Sequence, residues 1–226
     1  MTFSICGRCA TSGMLGVAIT TSSICVGSRC PWVRAGVGAV STQNVTLPSI
    51  GATVLDAMEQ GADSKTAMDK TLCGQAFSEY RQVIAINSNG LCAVFSGAKT
   101  LGTNATATGK NCVVAGNLLA GKSLAATMTQ RFAANAALSL PERLLCALEA
   151  GLYDAGGEMG DVHSAALLAA HKHPWPVVDL RVDWDDTDPI RALRRLWTAY
   201  EPQMEDYVTR AINPASAPSY GVPGDE

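Results

Sequence analysis

The order of apolar segments along the chain constrains its fold more than any other sequence feature. Short apolar or alternating runs indicate strands, and apolar residues spaced three and four apart indicate helices. The resulting order is strands, two helices, strands, two helices, strands and a last helix. Hairpins grouped between pairs of helices favour layered helix–sheet–sheet–helix packing over strict βαβ alternation.

Turn and cap residues set the expected bounds of these segments. Asn89-Gly90 predicts a tight hairpin turn, Asp63 or Ser64 can cap a helix, and Pro141 suits a first helical turn. Strands are predicted at residues 2–8, 15–21, 23–27, 33–43, 81–87, 91–96, 111–116, 164–170 and 177–182. Helices are predicted at residues 48–60, 63–76, 122–135, 141–151 and 190–208.

The composition agrees with two buried sheets. Hydrophobic residues make up 47% of the chain and charged residues only 16%, so a large core or surface hidden in a homo-oligomer is expected. We predict one α/β (α+β) domain over residues 1–209 and a flexible tail, rich in Pro, Ser, Ala and Gly, over residues 210–226.

Charge and hydropathy argue against several classes of partner. The formal net charge is −3 and no basic stripe appears, so no nucleic-acid partner is expected. No apolar run approaches the roughly 18 residues that span a membrane. The first residues lack a basic segment followed by an apolar run. The expectation is a soluble cytoplasmic protein with no membrane contact.

The common catalytic and metal motifs are missing. The sequence has no G-x-S-x-G, P-loop, G-x-G-x-x-G after a strand, or H-E-x-x-H, and only three histidines. Cys6-x-x-Cys9 suits a redox pair or half a zinc site, but most of the eight cysteines lie in apolar runs, which favours structural packing. No metal and no cofactor are predicted.

Thr2 offers a different chemistry. If Met1 is removed, the free α-amine of Thr2 lies beside its own hydroxyl. Such an amine has a pKa of about 7.7–8.0 and can act as a general base without a histidine. One residue then supplies both nucleophile and base, although a Met-Thr start is common and has little specificity alone.

Motifs over almost the whole chain resemble an uncharacterised bacterial family of unknown function that is grouped with the N-terminal-nucleophile (Ntn) hydrolases. The similar stretches are Met1-Thr2-Phe3-Ser4-Ile5, Pro31-Trp32-Val33-Arg34-Ala35-Gly36-Val37-Gly38-Ala39-Val40, Thr42-Gln43, Arg81-Gln82, Gly116-Asn117-Leu118-Leu119-Ala120-Gly121, Glu142-Arg143-Leu144-Leu145, Gly156-Gly157, Ser164-Ala165-Ala166-Leu167 and Val178-Asp179-Leu180-Arg181-Val182-Asp183. The resemblance implies a four-layer αββα sandwich, hydrolysis of an amide-like bond, and Thr2 as nucleophile. It implies no particular substrate.

Three further residues are candidates for the catalytic group. Asn117 lies between a strand and a helix, where its amide can either satisfy backbone donors or help to hold an oxyanion. Thr42 and Gln43 end a glycine-rich strand whose backbone N–H groups can face the nucleophile in such folds.

Charged residues in otherwise apolar segments are candidates for substrate binding. Arg8 and Arg34 lie in apolar strands, so each needs either a structural carboxylate or an anionic substrate group. Arg181 shares a strand face with Asp179, which makes an ion pair the alternative. Glu158 follows Gly156-Gly157 in a loop that can line the site.

The expected function is hydrolysis of a C–N bond, not necessarily a peptide bond, in a small carboxylated molecule. Amide hydrolysis and hydrolytic deamination, in breakdown of a nitrogenous compound, both fit. The alternative is a non-covalent small-ligand-binding or structural protein on the same fold, with Met1 retained.

Overall fold

Two antiparallel sheets lie at the centre of the computed structural model, which describes residues 1–224. The strands β1 to β10 are Thr2–Arg8, Leu15–Thr21, Pro31–Arg34, Gly38–Asn44, Arg81–Asn87, Cys92–Ser96, Ala105–Gly109, Cys112–Asn117, Ser164–Ala170 and Val178–Val182. The helices α1 to α6 are Ser49–Glu59, Ser64–Leu72, Leu124–Ala134, Leu140–Tyr153, Pro189–Tyr200 and Met204–Ile212.

The sheets differ in size, and β1 lies in the middle of the larger one. Six strands follow the order β10-β9-β2-β1-β8-β7, and four follow the order β3-β4-β5-β6. In the register of the larger sheet, Thr2 lies opposite Thr21 of β2 on one side and Asn117 of β8 on the other. The predicted mixed α/β class with antiparallel strands is confirmed.

Three large apolar cores and one small cluster hold these elements together. The six-stranded sheet packs against α3, α4 and α5 through a core that includes Phe3, Leu144 and Trp197. The four-stranded sheet packs against α1 and α2. A smaller core of short side chains, including Ile84 and Val113, lies between the two sheets. The inner strands of both sheets are therefore buried, as the apolar composition predicts. The edge strands β3, β6, β7 and β10 are partly exposed.

The predicted strand over residues 23–27 is wrong. Cys25 has a left-handed backbone (φ 57°), and residues 26–28 form a single 3-10 turn. The Val26 N–H bonds the Ser164 hydroxyl at 3.1 Å instead of a strand neighbour. The segment is apolar because Val26 packs beside Ile19 and Ala166, not because it is extended in a sheet.

The predicted strand over residues 33–43 is a hairpin of two strands. Gly36 has a positive φ of 71° and forms the turn between β3 and β4, where the Val37 N–H bonds the Arg34 carbonyl. Gly38 has the role expected for a glycine at a close approach, since a Cβ there would lie 2.5 Å from Met58 Cε.

Two other predictions need correction. Strand β7 was not predicted, because its Ala-Thr-Ala-Thr-Gly sequence at the sheet edge has no strongly apolar residue. The single helix predicted over 190–208 is two helices, α5 and α6, separated by a 3-10 turn that contains Pro202. Proline has no backbone N–H and interrupts helical bonding.

The end of the chain packs in part against α6. The Arg210 guanidinium lies 3.9 Å from the centre of the Tyr220 ring. The division into a domain of residues 1–209 and a flexible tail stays a prediction. No helix within residues 1–224 is long and apolar enough to cross a membrane.

Candidate functional site

Thr2 lies at one end of the central strand of the larger sheet. It is the first residue of β1 and is only 6% exposed. Its hydroxyl lies 3.0 Å from the hydroxyl of Thr21, the last residue of β2. Because β1 runs antiparallel to both neighbours, the ends of β2 and β8 bring Thr21 and Asn117 beside it.

Met1 covers this end of the sheet. Its carbonyl oxygen accepts hydrogen bonds from the hydroxyls of Thr2, at 2.5 Å, and of Thr21. Its side chain reaches the 156–162 loop, where a Cβ at Gly160 would lie 3.1 Å from Met1 Cε. Removal of Met1 would uncover both hydroxyls and the space between Thr2 and that loop.

A buried hydrogen-bond network joins the two sheets next to Thr2. The Ser4 hydroxyl donates to Gln43 Oε1 at 2.6 Å, and Gln43 Nε2 donates to Gln82 Oε1 at 2.8 Å. Asn117 Nδ2 donates to the same Gln82 oxygen at 3.1 Å. These four side chains are at most 1% exposed. Such a network holds Asn117 and the strand ends in one arrangement.

The orientation of the Asn117 amide follows from this network. Gln82 Nε2 donates to the Gly116 carbonyl and the Ser96 hydroxyl, so Gln82 Oε1 must accept from Asn117 Nδ2. Asn117 Oδ1 is left buried without a hydrogen-bond partner. The unpaired oxygen is an acceptor, so it can bind an N–H or O–H group but not an oxyanion.

Glu158 is the most unusual ionisable group of the site. Its backbone pairs with Leu119, two residues after Asn117, and its side chain is buried with both carboxylate oxygens lacking a hydrogen-bond partner. Burial raises the pKa of this carboxyl to about 8, against smaller lowering effects of the chain's terminal amino group and the Ser22 amide. The Ser22 amide therefore lies nearby, although its geometry falls short of a hydrogen bond.

A surface depression of about 320 Å³ adjoins Glu158. Its wall includes Asp161 and Asp188 as well as Glu158, and it contains no Lys, Arg or His. Other depressions on the surface are somewhat larger, but they lie away from Thr2 and have no unpartnered buried polar group among their lining residues. The depression beside Glu158 is therefore distinguished by an unpartnered buried carboxyl in its wall, although Thr2 and Asn117 do not line it.

The structure brings Thr2, Gln43, Asn117 and Glu158 to this end of the sheets, but not Thr42. The Thr42 hydroxyl lies 3.5 Å from the Leu47 carbonyl, and its backbone N–H donates to Cys30 at 3.0 Å. That N–H is thus already bonded and is not available to hold an oxyanion.

The three candidate arginines lie elsewhere. Arg8 is the last residue of β1, at the other end of the strand from Thr2. Its guanidinium donates to Asn111 Oδ1 at 3.3 Å. Arg34 forms ion pairs of 2.8 and 2.7 Å with Asp56 and Glu59 of α1. Arg181 pairs with Asp179 at 2.7 Å, the structural alternative considered for it. None of these three guanidinium groups pairs with a residue of the group around Thr2.

Two members of the group were not predicted from the sequence. Thr21 closes the end of β2, and Gln82 links the amides of Gln43 and Asn117. The one available sequence signal for Gln82 is a polar residue inside an apolar strand, a position that requires buried hydrogen-bond partners. Thr21 carries no such signal, because threonine is an ordinary strand residue.

No cysteine takes part in the hydrogen-bond network beside Thr2, whereas the backbone N–H of His163 donates to the Thr21 carbonyl at 2.8 Å. Cys6 and Cys112 are buried, and burial raises the pKa of the Cys112 thiol to about 11. Across residues 1–224, no group of three or more His, Cys, Asp or Glu side chains is placed to hold a metal ion.

Fold and site together define a mixed α/β protein with a near-terminal threonine at the polar end of its central sheet. Residues 2–193 match the model of the Family of unknown function (DUF1028), and the chain belongs to this family. The predicted membership of an uncharacterised family is confirmed.

Solved structures include a relative of the same family. The crystal structure of a DUF1028 protein from Silicibacter pomeroyi is 29% identical, covers 88% of each chain and has a TM-score of 0.81. Two Anbu proteins, from Yersinia bercovieri (an ancestral beta-subunit) and Hyphomicrobium sp. strain MC1, are 12% and 10% identical, each with a TM-score of 0.39, over 97% of this chain and 100% of theirs. No curated protein matches the chain.

Proposed function

We propose that this protein is a hydrolase of the Ntn type, a four-layer αββα sandwich that cleaves a C–N bond in a small molecule. One observation carries the proposal. The Thr2 hydroxyl lies at the end of the central strand, 3.0 Å from Thr21, with the unpartnered oxygens of Asn117 and Glu158 at the same end of the sheet.

In the proposed reaction, removal of Met1 exposes the Thr2 α-amine. The amine takes the hydroxyl proton as Thr2 Oγ1 bonds to the substrate carbonyl carbon. The resulting ammonium returns the proton to the leaving nitrogen as the C–N bond breaks. Water then attacks the Thr2 ester, which releases the acid and restores the hydroxyl. An amine with a pKa near 8 is suited to this exchange at neutral pH.

Hydrolytic deamination is the closely related alternative within the same class. Water adds to the carbon of an imine, or of an enamine after tautomerisation, and the nitrogen leaves as ammonia once protonated. Asn117 Oδ1 and Glu158 supply acceptors for the N–H groups that both reactions present.

The first prediction concerns Thr2. Thr2→Ala removes the nucleophile and should lower kcat/KM by about 10⁴-fold or more, because the covalent ester on residue 2 can no longer form. Thr2→Ser should keep measurable activity. The measurement is ammonia or amine release from a panel of small amides and enamines, with mass spectrometry of the N-terminus of each preparation.

Thr20→Ala is the matched control. Thr20 is a buried threonine of the neighbouring strand whose hydroxyl donates to the Ser164 carbonyl at 2.8 Å, so its loss should affect stability more than turnover. Full activity of a protein that retains Met1 would contradict the amine mechanism. Full activity of Thr2→Ala would contradict any role for the hydroxyl.

A non-covalent ligand-binding protein is the second candidate. With Met1 in place, its carbonyl occupies the hydroxyls of Thr2 and Thr21, and the Thr2 nitrogen is an amide that cannot act as a base. The pocket would then bind a ligand, or activate water through Glu158. Saturable ligand binding without turnover would support this candidate.

A further inference from the structure

The unpartnered polar atoms at this end of the sheet share one chemical character. Asn117 Oδ1 and both oxygens of the Glu158 carboxyl are buried without a hydrogen-bond partner, and all three are acceptors when the carboxyl is ionised. A buried polar atom costs free energy unless a partner compensates for it. What is missing from this site is therefore a group that donates hydrogen bonds.

The charges around the depression also favour a ligand that donates hydrogen bonds. Three carboxylates, Glu158, Asp161 and Asp188, belong to its wall, which holds no basic residue. Asp188 is already bonded to the Tyr153 hydroxyl and to the Arg191 amide, so it is not free for a ligand. Glu158 has no such partners within the described residues, which makes it the group that a cation would pair with.

A cationic nitrogen group already acts on Glu158 in this structure. The terminal ammonium of the chain lowers the pKa of the Glu158 carboxyl by its charge. Met1 lies beside Gly160 in the loop that carries Glu158. A positive charge therefore already lies within electrostatic range of Glu158, without forming an ion pair with it.

We infer that Glu158 binds a protonated nitrogen of the substrate, an ammonium or amidinium group, and so selects cationic substrates. The inference rests on the proposed function for the identity of the scissile C–N bond. It differs from the carboxylated substrate expected from the sequence, because Arg8, Arg34 and Arg181 have their partners elsewhere.

Three small primary amides of similar size test this selection. β-Alaninamide carries an ammonium, butyramide a methyl group in its place, and succinamate a carboxylate. Their binding is measured by isothermal titration calorimetry at a pH of about 8.5, where a carboxyl with a pKa of about 8 is largely ionised. The proteins are full-length Thr2→Ala, in which turnover does not interfere, and Thr2→Ala that also carries Glu158→Gln. Asp161→Asn in the same background is the control, because it removes a charge from the same wall but not the buried carboxylate.

β-Alaninamide should bind at least about tenfold more tightly than the other two amides, as expected for a charge-assisted hydrogen bond in a desolvated site. Glu158→Gln should reduce this preference to about twofold or less, and Asp161→Asn should change it by less than about threefold. Melting temperatures of the variants verify that each is folded.

Two results would overturn the inference. One is tighter binding of succinamate, or a preference for β-alaninamide that survives Glu158→Gln. The other concerns Glu158→Gln with Thr2 unchanged. If this variant loses hydrolysis of β-alaninamide and of butyramide equally, Glu158 acts on the Thr2 amine and not on the substrate's charge. If the proposed function alone is wrong, none of the amides is hydrolysed but the binding preference remains.

Discussion

At the scale of single residues, Glu158 shows a conflict between stability and function. A buried carboxyl without a hydrogen-bond partner costs free energy when it is ionised, and Glu158 is such a carboxyl. Besides burial, the terminal amino group and the Ser22 amide act on the pKa of this carboxyl, and both lower it. A residue that lowers the stability of the ligand-free protein is expected at a site where a bound ligand supplies its hydrogen-bond partner.

This conflict predicts how stability depends on pH. The pKa of Glu158 is raised to about 8 in the folded state, against about 4.3 in an unfolded chain. The protonated carboxyl therefore stabilises the fold fully below pH of about 4, and this contribution is lost as pH rises toward 8. Relative to wild type, Glu158→Gln should gain about 2–5 kcal/mol in free energy of unfolding between pH 4 and pH 8.

Urea unfolding at several pH values measures this difference. Asp161→Asn is the control, since it changes an exposed carboxylate of the same loop and should leave the pH profile close to that of wild type. Parallel profiles for wild type and Glu158→Gln would show that the carboxyl is ionised and partnered in the folded protein.

At the scale of elements, Arg194 and Trp197 of α5 bond to carboxylates of α4. Arg194 donates to Glu142 at 2.6 Å and to Glu149 at 2.8 Å. Trp197, one turn further along α5, is buried and donates from its indole N–H to Glu142 at 2.7 Å. Burial would by itself raise the pKa of Glu142, but the bonds from Arg194, Cys146 and Trp197 hold it below its usual value.

We expect Arg194→Met to lower the free energy of unfolding by about 1.5–3 kcal/mol at pH 7, the range for hydrogen bonds to charged groups. Because the pKa of Glu142 is depressed in the folded state, this stabilisation exists above the unfolded pKa of about 4.3 and is lost as pH falls through the folded value. The difference between Arg194→Met and wild type should therefore shrink at pH 3.

Arg195→Met is the matched control for chemical denaturation. Arg195 is the exposed neighbour on the same helix, so its replacement should change stability by less than about 0.5 kcal/mol. An equal effect of the two substitutions would mean that helix propensity, not the contact with α4, stabilises α5.

At the scale of the whole molecule, the core between the sheets decides whether the protein unfolds as one unit. That core is formed by both sheets, with Ala39, Ile84 and Ile86 from the small sheet and Cys6, Val17 and Val113 from the large one. The network of Gln43, Gln82 and Asn117 joins the same two sheets nearer Thr2.

Ile84→Ala should therefore cost about 2–5 kcal/mol and shift the unfolding of both sheets together. Far-UV circular dichroism follows the whole fold. Fluorescence follows all four tryptophans, of which Trp32 lies in the small sheet, Trp197 packs against the large one, and Trp175 and Trp184 are more exposed. The two curves should coincide before and after the substitution. Val94→Ala, at a half-exposed position of β6, is the control and should cost less than about 1 kcal/mol. Separate transitions would show that the sheets are independent.

Local pattern was enough to predict most of the elements. Short apolar runs indicated β1, β2, β5, β8 and β9, which are buried on both faces, and apolar residues three and four apart indicated helices α1 to α4. The Asn89-Gly90 turn indicated β6, and alternating residues indicated β10. The same rule failed where another cause set the residue pattern. Residues 26–28 are apolar because of tertiary packing, Gly36 bends the chain within an apolar run, and β7 lies at an edge that needs few apolar residues.

The sequence by itself determined the mixed α/β class with antiparallel strands, the family, and Thr2 as the residue of interest, since these depend on local pattern and on motifs in chain order. Only the tertiary structure decided which polar residues meet. Thr21, Gln82, Asn117 and Glu158 are far apart in the chain and come to one end of the sheets through strand register. The arginines found ion-pair and amide partners elsewhere, because burial and nearby carboxylates, not residue type, determine which charge is left for a substrate.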